Sequence, residues 1–231
     1  MQQQAGVITR VLRSVLKNGP VSAARWGWYH LGERYFDRRL GIHTERRPEF
    51  AGLAYDAPES IRYEPLPYSL ARTALATIVE DAPLEHDVFL DYGAGLGRMV
   101  IMAATHPFKR VIGVELLPVL SEQAAANVKA AKPHLLAPAE VFTEDARQFE
   151  VPDDVTVICL FNPFIGEAMA DVQRKIEASL RRAPRRLRVI YTHALDQKDL
   201  FAPCSWLELK HRLPVGVFDQ LNLIIYETRA A

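Results

Sequence analysis

The segment Asp91-Tyr92-Gly93-Ala94-Gly95-Leu96-Gly97-Arg98 joins an acid to three alternating glycines directly behind the apolar run Val88-Phe89-Leu90. Such a run reads as a buried strand that leaves through a tight turn and enters a helix near Gly97. Glycine at 93 and 95 lets the backbone take dihedrals closed to other residues and lie against a ligand, while the helix that follows begins with unpaired N–H groups. Ala94 is the one small side chain between them. The next apolar run, Val111-Ile112-Gly113-Val114, ends in Glu115. A carboxylate at the carboxyl end of the neighbouring strand has two oxygens for the vicinal hydroxyls of a ribose. A third run closes with Phe142-Thr143-Glu144-Asp145-Ala146, which puts the two acids Glu144 and Asp145 at its end, in a solvated loop or facing a ligand. The chemistry these residues suit is the holding of a nucleoside.

Two further groups lie at ends of apolar runs. Leu160-Phe161-Asn162-Pro163-Phe164 follows one, and Tyr191-Thr192-His193 closes another. A carboxamide accepts hydrogen bonds from a nitrogen nucleophile, an aromatic ring stacks on a developing cation, and an imidazole takes a proton near neutral pH. His193 is thus a candidate base, although a lone histidine is more often structural. The sequence Asn162-Pro163 also reads simply as a strand end and turn.

The dinucleotide fingerprint requires its third glycine three positions after the second, where this chain has Arg98; glycine falls at 97 instead. That departure argues against a nicotinamide dehydrogenase. The Asp-x-Gly-x-Gly-x-Gly spacing, with Gly-Val-Glu115 and Asp145 in order behind it, resembles the cofactor motifs of class I, Rossmann-like methyltransferases. The resemblance covers roughly residues 87–146 and implies S-adenosyl-L-methionine as cofactor, with Asp91, Gly93, Ala94, Gly95, Gly97, Glu115, Asp145 and Ala146 around it. Asn162-Pro163-Phe164 is similar to the Asp/Asn-Pro-Pro-aromatic motif of amine-directed members, with one proline where those have two. The resemblance implies that Asn162 is catalytic and that Tyr68, Pro163 and Phe164 contact the acceptor, Tyr68 within the lid-like segment Tyr63–Tyr68, while His193 is a catalytic candidate from its place at a strand end. The combination is similar to Rossmann-type protein-lysine methyltransferases and to a broad group of uncharacterised bacterial relatives. It implies methylation of a nitrogen in a protein side chain or small molecule. The alternatives are oxygen methylation with His193 as base, and an inactive binding module on the same fold.

These residues need a sheet to position them. From about residue 60 onward, runs at Val88 to Tyr92, Val111 to Leu116, Glu140 to Thr143, Val155 to Phe161 and Leu187 to Thr192 alternate with stretches of helical period. The helical stretches are Gly97 to Thr105, Leu120 to Ala131 and Glu167 to Arg182. That alternation demands parallel strands joined by crossover helices. Trp206 to Leu213 and Leu221 to Thr228 are joined too closely for anything but an antiparallel pair. The expected fold is α/β, a doubly wound and mostly parallel seven-stranded sheet with a terminal antiparallel hairpin. Residues 1–60 are expected to form a helical extension, and 61–231 the methyltransferase-like domain. In the extension, Val7, Ile8, Val11, Leu12, Val15 and Leu16 form an amphipathic stretch, and Ser22 to Leu40 mixes Trp26, Trp28, Tyr29, Tyr35 and Phe36 with arginines. It is expected to dock on the domain, with peripheral membrane contact as the other reading.

Composition limits the alternatives. The chain has 231 residues, enough for one full-sized α/β domain with an extension, and its 28 Lys and Arg balance its 28 Asp and Glu. No global field concentrates it on nucleic acid, which is therefore not the expected acceptor. The basic run Arg181, Arg182, Arg185, Arg186, Arg188 is expected to solvate a helix end and the strand after it. Cys159 and Cys204 show no CxxC spacing and no His or Cys neighbours, so neither a disulfide framework nor a metal site is expected. No apolar run reaches the length of a membrane span, and the expectation is a cytoplasmic protein.

Overall fold

The structure, a computed structural model, describes Gly27 and residues 31–45, 64–81, 83–161, 164–194, 198–215 and 221–229. The apolar runs form β1 (Val88–Tyr92), β2 (Arg110–Glu115), β3 (Ala139–Thr143), β4 (Val157–Phe161) and β5 (Arg188–Ala194), followed by β6 (Leu207–Val215) and β7 (Leu221–Thr228). They make one sheet in the order β3-β2-β1-β4-β5-β7-β6, parallel through β5, with β7 antiparallel to both β5 and β6. The expected seven strands and terminal hairpin are therefore present.

β1 is buried at every position because both faces of the sheet are covered, which is why it reads as a continuous apolar run. Alternate side chains divide between two layers. Phe89 packs with α2 (Tyr68–Asp81) and α3 (Arg98–Ala104), while Val88, Leu90 and Tyr92 pack with α5 (Gly166–Arg182). Helix α4 (Pro118–Ala131) covers the β2–β3 side. The crossing from β3 to β4, residues 144–156, has no helix, and Phe149, Val151 and Val155 from that loop cover the sheet in its place.

Element ends differ from expectation for local reasons. β4 begins at Val157, because the Val155 N–H turns to the Pro152 carbonyl. β6 continues through Pro214, which an edge strand tolerates because one row of its backbone groups has no partner. The expected loop around Gly216 and Asp219 lies outside the described residues.

Arg181, Arg182 and Arg186 of the basic run are exposed as expected, whereas Arg185 is half-buried and Arg188 is not solvated at all. Arg188 is 2% exposed, pairs with Asp87 and donates to the Ile78 carbonyl, tying β5 to α2. Arg185 donates to the carbonyls of Val155 and Ala183, while Arg181, Arg182 and Arg186 pair with Glu177, Asp153 and Glu227. The short connections before β1 and β5 draw these cations onto nearby carboxylates and carbonyls.

The described residues ahead of α2 pack against the sheet domain. Residues 31–40 form helix α1, and Leu40 and Ile42 behind it enter the core beside α2. The joint is polar and closed. Arg98, 3% exposed, pairs with Glu33 and donates to Thr44 Oγ1 at 2.7 Å and to the Leu66 carbonyl at 2.7 Å. Its guanidinium lies 4.2 Å from the centre of the Tyr68 ring, and Asp37 sits 3.8 Å away. Asp37 in turn accepts from the Thr44 N–H and hydroxyl and from the Tyr68 hydroxyl. The amphipathic stretch from Val7 to Leu16 lies outside the described residues.

A buried cation that loses its role leaves buried anions behind. Arg98→Met is expected to lower stability by about 3–5 kcal/mol, since Glu33 and Asp37 keep their burial without compensation. In a Glu33→Gln/Asp37→Asn background the same change should cost clearly less. Urea unfolding of the four variants checks this, and equal costs in the two backgrounds contradict it.

Candidate functional site

The strand order reverses between β1 and β4: from β1 the chain steps outward to β2 and β3 on one side, then returns to β4 and β5 on the other. At such a switch point the connections diverge and leave a crevice beyond the carboxyl ends of the strands. The glycine turn emerges there. Gly93 and Ala94 both donate their N–H to the Val114 carbonyl, at 2.9 and 3.0 Å, and Gly97 donates to the Ala94 carbonyl at 2.8 Å. Gly93, Gly95 and Gly97 have φ of 75°, 55° and 82°, a region that side-chain-bearing residues avoid.

Glu115 closes the turn against β2. Its Oε2 accepts from the Gly95 N–H at 2.9 Å and its Oε1 from the Leu117 N–H at 3.0 Å. A carboxylate has about four acceptor sites. The carboxylate at the turn therefore keeps acceptor capacity for a hydroxyl donor. Gly97 has a second role: a Cβ there would lie 3.1 Å from Ala124 Cβ, so its smallness lets α4 approach. Gly113, in the middle of β2, is required for packing as well, since a Cβ would meet Val100 Cγ2 at 2.7 Å and Ala94 Cβ at 3.0 Å. The turn is thus held from below by β2 and α3.

Two buried carboxyl groups share this place. Asp91 and Glu115 are each 4% exposed. Burial first, and the nearby Glu115 second, push Asp91 up to about 8, opposed by a hydrogen bond from the Cys159 thiol on β4. Burial also raises Glu115, opposed by the N–H groups of Leu117, Gly95 and Leu116. At neutral pH the structure holds Asp91 mostly protonated, ready to ionise beside a cation. Asp145 behaves oppositely: hydrogen bonds from Arg147 hold it below the usual carboxylate range. Its oxygens accept from the Arg147 backbone N–H at 2.9 Å and from the guanidinium.

The remaining expected site residues are spread more widely. Asn162 and Pro163 lie outside the described residues. His193 lies on β5, and its side chain is outside the described set. The register Phe161↔Thr192 brings the strand ends that precede these two positions side by side. Phe164 is 7% exposed and packs edge-on to Tyr92 at 6.5 Å, within the core layer of α5. Tyr68 is 1% exposed with its hydroxyl committed to Asp37, so its geometry serves the joint with α1. Ala146 packs at the margin of the α5 layer.

Several residues that shape the cleft were not singled out by the sequence. Asn127 Nδ2 donates to the Leu96 carbonyl at 2.9 Å and to the His43 carbonyl at 3.1 Å, and its Oδ1 accepts from the His43 N–H. It clamps the extension to the glycine turn. Its signal was available: Asn127 falls on the stripe Leu120, Ala124, Ala131, where a polar residue at a buried position demands partners. Glu33, Asp37 and Thr44 carry no such signal, because their partner Arg98 is distant in the chain.

No family model matches the chain, and no curated protein matches it. Solved structures do. An RNA methyltransferase from Salinibacter ruber in complex with S-adenosyl-L-homocysteine is 22% identical, over 71% of this chain and 94% of that one, with a TM-score of 0.53. A magnesium protoporphyrin IX methyltransferase from Synechocystis with bound SAM is 16% identical, over 70% and 79% of the two chains, at 0.55. A SAM-dependent methyltransferase from Aquifex aeolicus is 11% identical, over 68% and 89%, at 0.51. Strand order, terminal hairpin and these likenesses agree that the chain has the class I, Rossmann-like methyltransferase fold.

Proposed function

We propose that this protein is a SAM-dependent methyltransferase that acts on a nitrogen nucleophile of a protein side chain or small molecule. The observation that carries the reading is the Glu115 carboxylate bound to the Gly95 N–H at the switch point of the sheet. The same acid faces an open-backbone turn and keeps acceptor capacity for a ribose, which is what the fold's cofactor requires. Solved neighbours with this fold hold S-adenosyl-L-homocysteine or SAM.

When bound, S-adenosyl-L-methionine supplies an electrophilic methyl carbon on a sulfonium. The chain's contribution is position, since an in-line displacement rewards alignment more than acid or base strength. Glu115 would hold the ribose hydroxyls and Asp145 the base, with Ala94 and Ala146 small beside them. Asp91, ionising as a cationic amino-acid end arrives, would hold that end. Asn162 would accept a hydrogen bond from the acceptor nitrogen and keep its lone pair directed at the methyl. Pro163 and Phe164 would wall the acceptor pocket, and His193 would take the proton lost after transfer. The ion-paired arginine run from 181 to 188 favours an acceptor other than nucleic acid.

Two experiments test this. In titration calorimetry, SAM should bind the wild type and not Gly95→Asp, and Glu115→Gln should bind roughly 10- to 100-fold more weakly through its lost charge-assisted hydrogen bonds. Because burial pushes Asp91 up to about 8, binding of a cationic amino-acid end at neutral pH should release a proton. Affinity should then rise with pH up to that value, and Asp91→Asn should abolish the release. Wild type that does not bind SAM rejects the reading. For the acceptor atom, mass spectrometry of methylated products should find methyl on nitrogen, with Asn162→Ala slower than His193→Ala by about tenfold or more. Methyl only on oxygen, with the reverse ranking, assigns the oxygen-directed reaction instead.

A further inference from the structure

The first 44 residues contain two acids, Glu33 and Asp37, and seven Lys or Arg, namely Arg10, Arg13, Lys17, Arg25, Arg34, Arg38 and Arg39. In sequence, Glu33 and Asp37 alternate with arginines and suggest a mixed, self-neutralised helix. The structure sorts them. Both acids turn inward, 8% and 6% exposed, and are consumed by Arg98, Thr44 and Tyr68. The outer side of α1 keeps Arg34, Arg38 and Arg39, all exposed, with Arg72 nearby over the Phe36 ring. Arg34 is paired weakly with the exposed Glu45 at 3.5 Å; Arg38 and Arg39 have no acidic partner among the described residues. Between these arginines stand Leu31, 64% exposed, and Tyr35, 57% exposed, four residues apart and therefore on one face.

We infer that this face of α1 docks the protein on an anionic membrane surface. Apolar and aromatic side chains flanked by arginines suit the bilayer interface, where the rings and leucines enter the acyl boundary and the guanidinium groups meet lipid phosphates. The residues ahead of α1 have the same chemistry: apolar residues at helical spacing from Val7 to Leu16, then Trp26, Trp28 and Tyr29, with no acid before Glu33. Tryptophan and tyrosine favour that interface because one end is apolar and the other polar. A phosphodiester partner would use the arginines but leave Leu31 unrewarded, so a lipid surface fits the whole set better. Among the described residues no helix is long and apolar enough to cross a membrane, and the docking inferred for α1 is a peripheral one. Through Arg98 the helix adjoins the glycine turn.

Sedimentation of the full chain with vesicles tests the inference, independently of any SAM binding. The wild type should bind vesicles of phosphatidylcholine with phosphatidylglycerol, should not bind phosphatidylcholine alone, and should be released by high salt. Arg38→Gln/Arg39→Gln should weaken binding roughly 30-fold, about a factor of five per basic group near the surface. Leu31→Ser/Tyr35→Ser should weaken it too. Both variants should melt at the wild-type temperature, since neither pair is buried. Wild type that fails to bind the anionic vesicles, or either variant binding as wild type does, overturns the proposal. So does Arg38- and Arg39-dependent binding to an RNA oligonucleotide without vesicle binding, which identifies nucleic acid as the partner.

Discussion

A carboxylate held out of water must be surrounded by donors, and Glu115 meets that requirement with the backbone of the glycine turn itself. The bond from the Gly95 N–H sets where the turn lies relative to β2, and the bond from the Leu117 N–H sets where the chain leaves β2 for α4. Other features follow from keeping this group in place. Gly113 must lack a side chain so that Ala94 and Val100 can press against β2 beneath the turn. Gly97 must lack one so that α4 can close over it. Asp91, buried and set beside a second carboxyl, is pushed up to about 8.

The amino-terminal region is built into this arrangement rather than appended to it. Arg98 opens α3 immediately after the turn and satisfies groups from α1, the segment before α2, and Thr44. Asn127 holds His43 and Leu96 together from α4. The turn is therefore tied to the sheet by Glu115 and to the extension by the buried side chains of Arg98 and Asn127. The same pairing that draws Glu33 and Asp37 inward leaves α1 basic on its outside, so one set of contacts governs both the cleft and the surface near it.

Much of this was legible in the sequence where the signal is local. Continuous apolar runs ending in glycine or acid gave the strands and their carboxyl ends, and the short spacing between the last two runs required the antiparallel hairpin. What escaped was set by distance in space. Arg98 looked like the end of a motif, yet its partners lie more than thirty positions away. Arg188 looked like the end of a solvated run, because nothing local reveals that Asp87 comes to meet it. Tyr68 looked like a lid residue, but a phenol with one end apolar and one polar serves equally to seal a buried joint, and that is where it lies.

A crystal structure with S-adenosyl-L-homocysteine bound tests the central claim most directly. The account predicts both ribose hydroxyls on the oxygens of Glu115, the base within reach of Asp145, and the homocysteine end over the turn between residues 93 and 97. A nucleoside bound elsewhere, or lying across the turn with its ribose out of reach of Glu115, would contradict it.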